Sequence, residues 1–258
     1  MISITFTGGF GAQLLSTAAY MYLSKKKINV KANFDYFDLP DKIEKYEKMG
    51  MNYTGKETFH PWQLDELGIF QNSFNINGTE KETLHDGKKK SEYALLGFSD
   101  NDIKSKFMIF DHVKNFKKEL FNDESFACIH IRRGDYLKVA SYLISDFDFF
   151  KIIKAISKLI SNILILTDSD LNVEFKEKIS NLNLNTRYAI GGSAATSHGL
   201  MRLSNILICS NSQFSFTAAM LRPDNVLTFI PSTYDGDPNA DINKQIEKMR
   251  KFQIYTGL

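Results

Sequence analysis

The stretch Phe126-Ala127-Cys128-Ile129-His130-Ile131-Arg132-Arg133-Gly134-Asp135-Tyr136 decides how this chain is read. Its first half is a short apolar run of the kind that forms a buried strand, and its second half is a loop carrying two guanidinium groups. In open α/β sheets, ligands sit in the crevice at the carboxyl ends of the strands. Arginine there offers a planar fork of donors to phosphate oxygens, Gly134 permits a tight turn, and Asp135 can orient one guanidinium by a bidentate pair. The same residues also suit a purely structural ion pair.

Downstream the pattern is regular. Helix is expected from Asp146 to Leu159, strand at Ile163 to Leu166, helix after Asp168-Ser169-Asp170, strand at Arg187 to Ile190 and helix from Ser197 to Leu203. A strand at Ile206 to Cys209, a helix at Ser212 to Leu221, a strand at Val226 to Ile230 and an amphipathic helix from Asp241 to Phe252 complete the series. Upstream, Ile2 to Thr7 alternates as a strand, Gly8-Gly9-Phe10-Gly11 breaks it, and Gln13 to Lys26 has helical spacing. Ile28 to Phe34 supplies another strand, and Leu64 to Ile69 a short helix closed by Gly68. From about Phe70 to Phe110 the pattern weakens, and the crossover between two domains is placed near Phe116 to Asp123. Alternating strands and helices imply right-handed βαβ units and parallel sheets.

Composition narrows the function. The chain has 258 residues, 43% of them hydrophobic, enough for one large domain or two modest ones. Its 32 basic residues nearly cancel 30 acidic ones, and a net charge of +2 makes no case for nucleic acid as a partner. Lys25-Lys26-Lys27 and Lys88-Lys89-Lys90 read as solvated clusters. Cys128 and Cys209 lie in apolar runs and suit buried reduced thiols, while the five histidines lack metal-ligand spacing. The amino terminus shows no basic segment leading into an apolar one, and no apolar run is long enough to span a bilayer. A cytoplasmic protein is expected, with peripheral contact at the inner membrane left open.

Two further loops carry chemistry. Gly8-Gly9-Phe10-Gly11-Ala12-Gln13 feeds a helix N-terminus, whose N–H groups and dipole favour an anion; Gly9, Gly11 and Gln13 are its candidate contacts. It fits neither the G-x-G-x-x-G nor the P-loop spacing. Ser210-Asn211-Ser212-Gln213 passes from strand into helix, so Asn211, Ser212 and Gln213 converge at one point, either on phosphate or as helix caps. Together with the Arg132-Arg133 loop it favours a nucleotide diphosphate.

These three motifs, in this order, resemble the α-1,2-fucosyltransferases of glycosyltransferase family 11. Gly8 to Gln13 is similar to the family's G-G-x-G-N-Q, His130 to Tyr136 matches its H-x-R-R-G-D-Y, and Leu200-Met201 with Asn211-Ser212-Gln213-Phe214-Ser215 is similar to its L-M … N-S-x-F-S. The chain departs at Ala12, where the family usually has Asn, at Ser197, where an Asp is usual, and at Phe216-Thr217, where Trp-Trp is common.

The resemblance implies an α/β chain of GT-B type, with two Rossmann-like domains facing a central cleft. Residues 1–118 would be the acceptor-side domain and residues 119–258 the GDP-sugar-binding domain. It implies inverting transfer of L-fucose from GDP-L-fucose, with no cofactor and no metal, to an oligosaccharide or lipid-linked glycan acceptor. Galactose O-2 in bacterial surface polysaccharide synthesis, such as lipopolysaccharide O-antigen, is the expected acceptor. By position, Arg132 contacts the diphosphate, Arg133 and Asp135 support it, His130 lies beside the nucleotide, and Ser212 and Gln213 bind phosphate from the other side. His198 is the candidate substitute for the Asp missing at Ser197. Asp35, after the second strand, is the candidate base for the acceptor hydroxyl. A related donor such as GDP-colitose, and a silent nucleotide-sugar or glycan-binding protein, are the alternative readings.

Overall fold

In the computed structural model, residues 1–48, 59–78, 82–84, 88–138, 142–232, 249 and 252–255 are described. The chain divides into two units, Met1–Met108 and Ile109–Leu258. Both are parallel α/β sheets, the make-up of a GT-B chain.

The first unit runs β1 (Ile2–Thr5), α1 (Phe10–Lys25), β2 (Val30–Asn33), α2 (Leu39–Lys48), β3 (Glu82–Leu84), α3 (Lys88–Ser99) and α4 (Asn101–Lys104). Its strands lie in the order β2-β1-β3, all parallel. Helix α1 buries Leu14, Leu15, Ala18, Ala19 and Leu23. It packs against α3 so closely that a Cβ on Gly97 would meet the Ala18 carbonyl oxygen at 2.4 Å, which leaves glycine as the residue for that crossing. The elements β3 and α3 occupy part of the stretch whose periodicity looked weak. Their residues alternate too briefly, and α3 opens on three lysines, of which Lys90 is nevertheless buried with its ammonium 3.4 Å from Thr5 O and 3.3 Å from Ser16 Oγ.

The second unit begins with α5 (Asp111–Phe121), which takes up most of the stretch read as the crossover. This helix is packed into the second unit and is no linker. Val113 and Phe121 are buried, and the Phe121 ring stacks on Phe126 at 5.0 Å. Then come β4 (Phe126–Ile131), α6 (Asp146–Ile156), β5 (Asn162–Thr167), α7 (Val173–Ser180), β6 (Asn185–Ile190), α8 (Ala194–Leu203), β7 (Ile206–Ile208), α9 (Gln213–Leu221), β8 (Leu227–Pro231) and β9 (Gln253–Tyr255). The expected helix at Asp241 to Phe252 falls mostly outside the described residues. Strand β9 was not anticipated, since three residues carry too little pattern.

All six strands are parallel, in the order β6-β5-β4-β7-β8-β9. Every residue of β4 and β5 is buried, because these strands lie inside the sheet with both faces covered. The chain leaves β4 in one direction to build β5 and β6, then returns beside β4 to build β7, β8 and β9. The strand order therefore reverses between β4 and β7, the point at which open parallel sheets generally take ligands. Cys128 and Cys209 are buried free thiols beside this seam. Among the described residues, no helix is long and apolar enough to cross a membrane.

Candidate functional site

The reversal point brings together two of the three sequence motifs. The Arg132-Arg133 loop leaves β4, and Ser210-Asn211-Ser212 leaves β7, which pairs with β4 through Ile129 and Ile208. A side-chain bond joins the end of β4 to the loop after β7, His130 Nδ1 to Ser210 Oγ at 2.7 Å.

The two arginines have different tasks. Arg133 is nearly buried; its Nη2 pairs with Asp146 at the start of α6, its Nη1 donates to Arg132 O (3.1 Å), and its guanidinium lies over the Phe149 ring (5.6 Å). It fastens the loop to α6. Arg132 is more accessible, with 27% of its side chain exposed, and its Nη1 pairs with Asp168 Oδ2 at 2.9 Å. Its guanidinium also lies 5.3 Å from the centre of the Tyr136 ring.

Asp168 comes directly after β5, the neighbour of β4, and holds the loop from a second side. Its Oδ1 accepts from the Arg133 backbone N–H at 2.8 Å. A Cβ on Gly134 would lie 2.6 Å from Asp168 Oδ2, and Gly134 has φ +25°, so both close approach and conformation call for glycine. The carboxylates that orient the guanidiniums are thus Asp168 and Asp146, from other elements; the Asp135 side chain lies outside the described residues. Asp168 and Asp146 escaped notice because each reads as a residue at a helix start. The signal that could have found Asp168 is its place directly after the apolar run Ile163 to Thr167, level with Arg132 across two paired strands.

On the β7 side, Ser212 is the N-cap of α9, accepting from Phe214 N at 3.3 Å. Asn211 is buried, and its Oδ1 finds no hydrogen-bond partner among the described residues. A buried acceptor in want of a donor costs roughly 1–3 kcal/mol, so it marks a place where a ligand N–H or O–H would be stabilised. Gln213 is exposed in the first turn of α9.

Both histidines of this unit's site are buried. His130 and His198 lie against the Phe214 ring, at 5.4 and 5.7 Å between centroids, and His198 Nε2 meets Thr217 Oγ1 at 3.3 Å. Thr217 therefore gives the chain's departure from Trp-Trp a use, since it holds His198 in place, while Phe216 fills the core. Burial, followed by the Arg132 charge, pushes the His130 imidazole down to about 3. Burial also lowers His198 well below its ordinary range, aided by Arg202 and His130. The site's positive charge consequently resides on arginine.

The remaining candidates lie in the first unit. Gly9 precedes α1 as its N-cap and Gly11 is buried in its first turn. Gln13 is fully buried, with Nε2 donating to Gly8 O and Pro61 O (2.8 Å each) and Oε1 accepting from Gln63 N (2.9 Å). Its amide braces the glycine loop. Asp35 is exposed at the head of a 3-10 turn, where its Oδ2 accepts from Asn33 Nδ2 at 3.1 Å. Among the described residues, no group of three or more His, Cys, Asp or Glu could hold a metal ion.

The family model described as glycosyl transferase family 11 matches residues 74–253, the larger part of the chain and all of the reversal-point site. The glycine loop and Asp35 precede the matched residues. No curated protein is a significant match. Among solved structures, POFUT1 in complex with GDP is similar at 12% identity and a TM-score of 0.49, over 86% of this chain and 94% of that one. The α-1,6-fucosyltransferase NodZ, soaked with GDP-fucose, is similar at 14% identity and a TM-score of 0.45, over 86% and 92%. The E. coli ADP-heptose lps heptosyltransferase II is similar at 9% identity and a TM-score of 0.49, over 98% and 89%. Likenesses this distant carry no functional weight.

The buried His130 makes stability depend on pH in a definite direction. An unfolded imidazole titrates near 6.5, whereas the folded one stays neutral down to about 3. As pH falls through 6.5 the unfolded state gains a proton that the folded state refuses, so stability present above that pH is lost below it. At pH 5 the loss from His130 is about 2 kcal/mol relative to pH 8. Denaturant unfolding at both pH values should show this drop in the parent and a smaller one in His130→Asn; equal drops would place the imidazole in solvent.

Proposed function

This chain belongs to glycosyl transferase family 11, and we propose that its reaction is the inverting transfer of L-fucose from GDP-L-fucose to a glycan hydroxyl. The observation that carries the reading is Arg132, held half-exposed by Asp168 at the reversal point of a parallel sheet, opposite the helix start at Ser212. A diphosphate placed there meets a guanidinium on one side and the amino-terminal dipole of α9 on the other. Asn211 Oδ1 supplies an acceptor for an N–H or O–H of the nucleotide. The neutral His130 and His198 pack beside it with Phe214, so His198 stands in for the missing carboxylate at Ser197 as a hydrogen-bonding group without charge.

The chemistry is set by where charge develops. As the bond from the fucose anomeric carbon to the β-phosphate oxygen breaks, its electron pair leaves with GDP and negative charge grows on that phosphate. Donors fixed before the reaction stabilise this charge without reorganising. Arg132 is such a donor, because Asp168 has already removed its rotamer freedom. On the opposite face of the sugar an acceptor oxygen forms the new bond, which inverts the anomeric centre, and a base takes the hydroxyl proton. Asp35 is the carboxylate we assign to that step. Arg133 and Asp135 support the Arg132 loop, and Gly9, Gly11 and Gln13 shape the acceptor-side loop.

The acceptor we propose is the galactose 2-hydroxyl of a glycan intermediate of bacterial surface polysaccharide, met by a cytoplasmic enzyme in peripheral contact with the inner membrane. No metal enters this scheme, because guanidinium and helix dipole meet the phosphate charge.

Arg132→Lys keeps the charge and loses the planar fork, so kcat/KM for GDP-fucose should fall about tenfold to a hundredfold in a transfer assay. An unchanged value would remove Arg132 from the diphosphate. The same assay in excess chelator should give an unchanged rate; loss restored by Mg²⁺ or Mn²⁺ would reject the metal-free scheme. Asp35→Asn preserves shape and removes basicity, so it should lower the transfer rate at least about a hundredfold while sparing GDP affinity by calorimetry. Normal transfer would eliminate Asp35.

A further inference from the structure

A second cluster, on the first unit, is left unused by the donor chemistry. It gathers at the carboxyl ends of β1 and β2, the end of a parallel sheet where ligands bind. The Gln13 amide ties the glycine loop at Gly8 to Pro61 and Gln63, and this holds His60 over Gly9. The His60 ring atoms Cγ, Cδ2 and Nδ1 lie 3.5–3.6 Å from where a Gly9 Cβ would be. Tyr36, just after β2, accepts from the His60 backbone N–H at 3.0 Å and stacks on Phe59, with centroids 5.4 Å apart and planes 24° apart.

The cluster is graded from core to solvent. Phe6 and Phe74 are buried behind it, at ring distances of 5.9 and 6.1 Å from Trp62. Tyr36, Phe37, Phe59, His60 and Trp62 are only half-buried, and the exposed Asp35 adjoins them in sequence. A core needs no such graded layer of rings ending in an imidazole. Convergent aromatic faces beside a few polar groups are instead the make-up of a small-molecule site. A pyranose matches it, since its C–H face is apolar and its rim carries hydroxyls.

We propose that Tyr36, Phe59 and His60 form the subsite for the acceptor hexose, its C–H face on the outer face of the Tyr36–Phe59 stack and one hydroxyl hydrogen-bonded to the His60 imidazole. This rests on the glycosyl-transfer reading for its role and names the acceptor side of it. Phe37 and Trp62 back the stacked pair, at 5.2 Å from Tyr36 to Phe37 and 5.6 Å from Phe37 to Trp62. Trp62 is fixed by its indole N–H, which donates to Asp65 Oδ1 at 2.9 Å and Ile69 O at 3.2 Å.

The test uses the full chain with methyl β-D-galactoside, observed by saturation-transfer NMR. Trp62 is the chain's only tryptophan, so its emission is a second reporter from the same cluster. We expect saturable transfer to the ring protons of one sugar face, a shift in Trp62 emission with the same half-saturation, and no need for donor. His60→Ala and Phe59→Ala should each raise that half-saturation and the acceptor KM at least about tenfold, with GDP affinity and far-UV circular dichroism unchanged. The subsite is overturned if the parent shows no saturation transfer, or if both variants bind the galactoside as the parent does. Galactoside binding that depends on His60 in a protein without transferase activity would leave the subsite standing and remove the transfer reading.

Discussion

One carboxylate, that of Asp168, sets the geometry on which the rest of the arrangement at the reversal point depends. It receives the Arg133 backbone N–H, pairs with the Arg132 guanidinium, and presses on Gly134 where any side chain would collide. A loop of exposed backbone would otherwise sample many conformations, at roughly 1–2 kcal/mol of entropy per residue fixed. Three contacts to a single residue just beyond the adjacent strand remove most of that freedom during folding. The pair is only 23–27% exposed at the side-chain level, so solvent screens it less than a surface ion pair.

The sheet then explains why this loop is held rigidly beside the loop after β7. Strands β4 and β5 are buried throughout, so the loops after them share a rigid base. The reversal of strand order places the loop after β7 beside the end of β4, and the His130–Ser210 bond ties the two together. The serine hydroxyl can donate to that nitrogen or accept from it, so the bond forms with either tautomer. Burial keeps His130 neutral, which removes a competing cation from beside Arg132 and leaves the site's electrostatics to the guanidinium and the α9 dipole.

The strand and helix order from β4 to β8 was legible because its apolar runs are separated by clear punctuation. Buried runs such as Phe126 to Ile131 and Ile163 to Leu166 admit few other readings. In the first unit β3 has three residues, and α3 opens on Lys88-Lys89-Lys90, so charge hid an amphipathic helix. Helix α5 was hidden similarly, its buried Val113 and Phe121 separated by polar residues. At the site, motif spacing identified the loops at His130 and Ser210 and their placement beside each other. It did not reveal what holds the two arginines, because Asp168 and Asp146 arrive from other elements. Likewise Gln13 read as a ligand contact, whereas its buried amide is committed to Gly8, Pro61 and Gln63.

The split between the two arginines bears on why the motif holds both. A guanidinium that must grip a phosphate alone loses about 2 kcal/mol of rotamer entropy when the ligand arrives. With Arg133 anchored to Asp146 and Phe149, the backbone beneath Arg132 is fixed in advance; with Asp168 paired to its Nη1, so is its side chain. Each cost falls in folding, where the buried surroundings of β4 and α6 offset it, and not in binding. The opposing term is repulsion between the Asp168 carboxylate and a diphosphate. It weakens with distance, so a diphosphate that lay nearer to the guanidinium than to the carboxylate would be attracted on balance. An arginine braced in this manner binds its anion less tightly than an unpaired one in the same position would through charge alone. It gains in return a single orientation, which matters more where the charge to be met is the one that develops as a bond breaks.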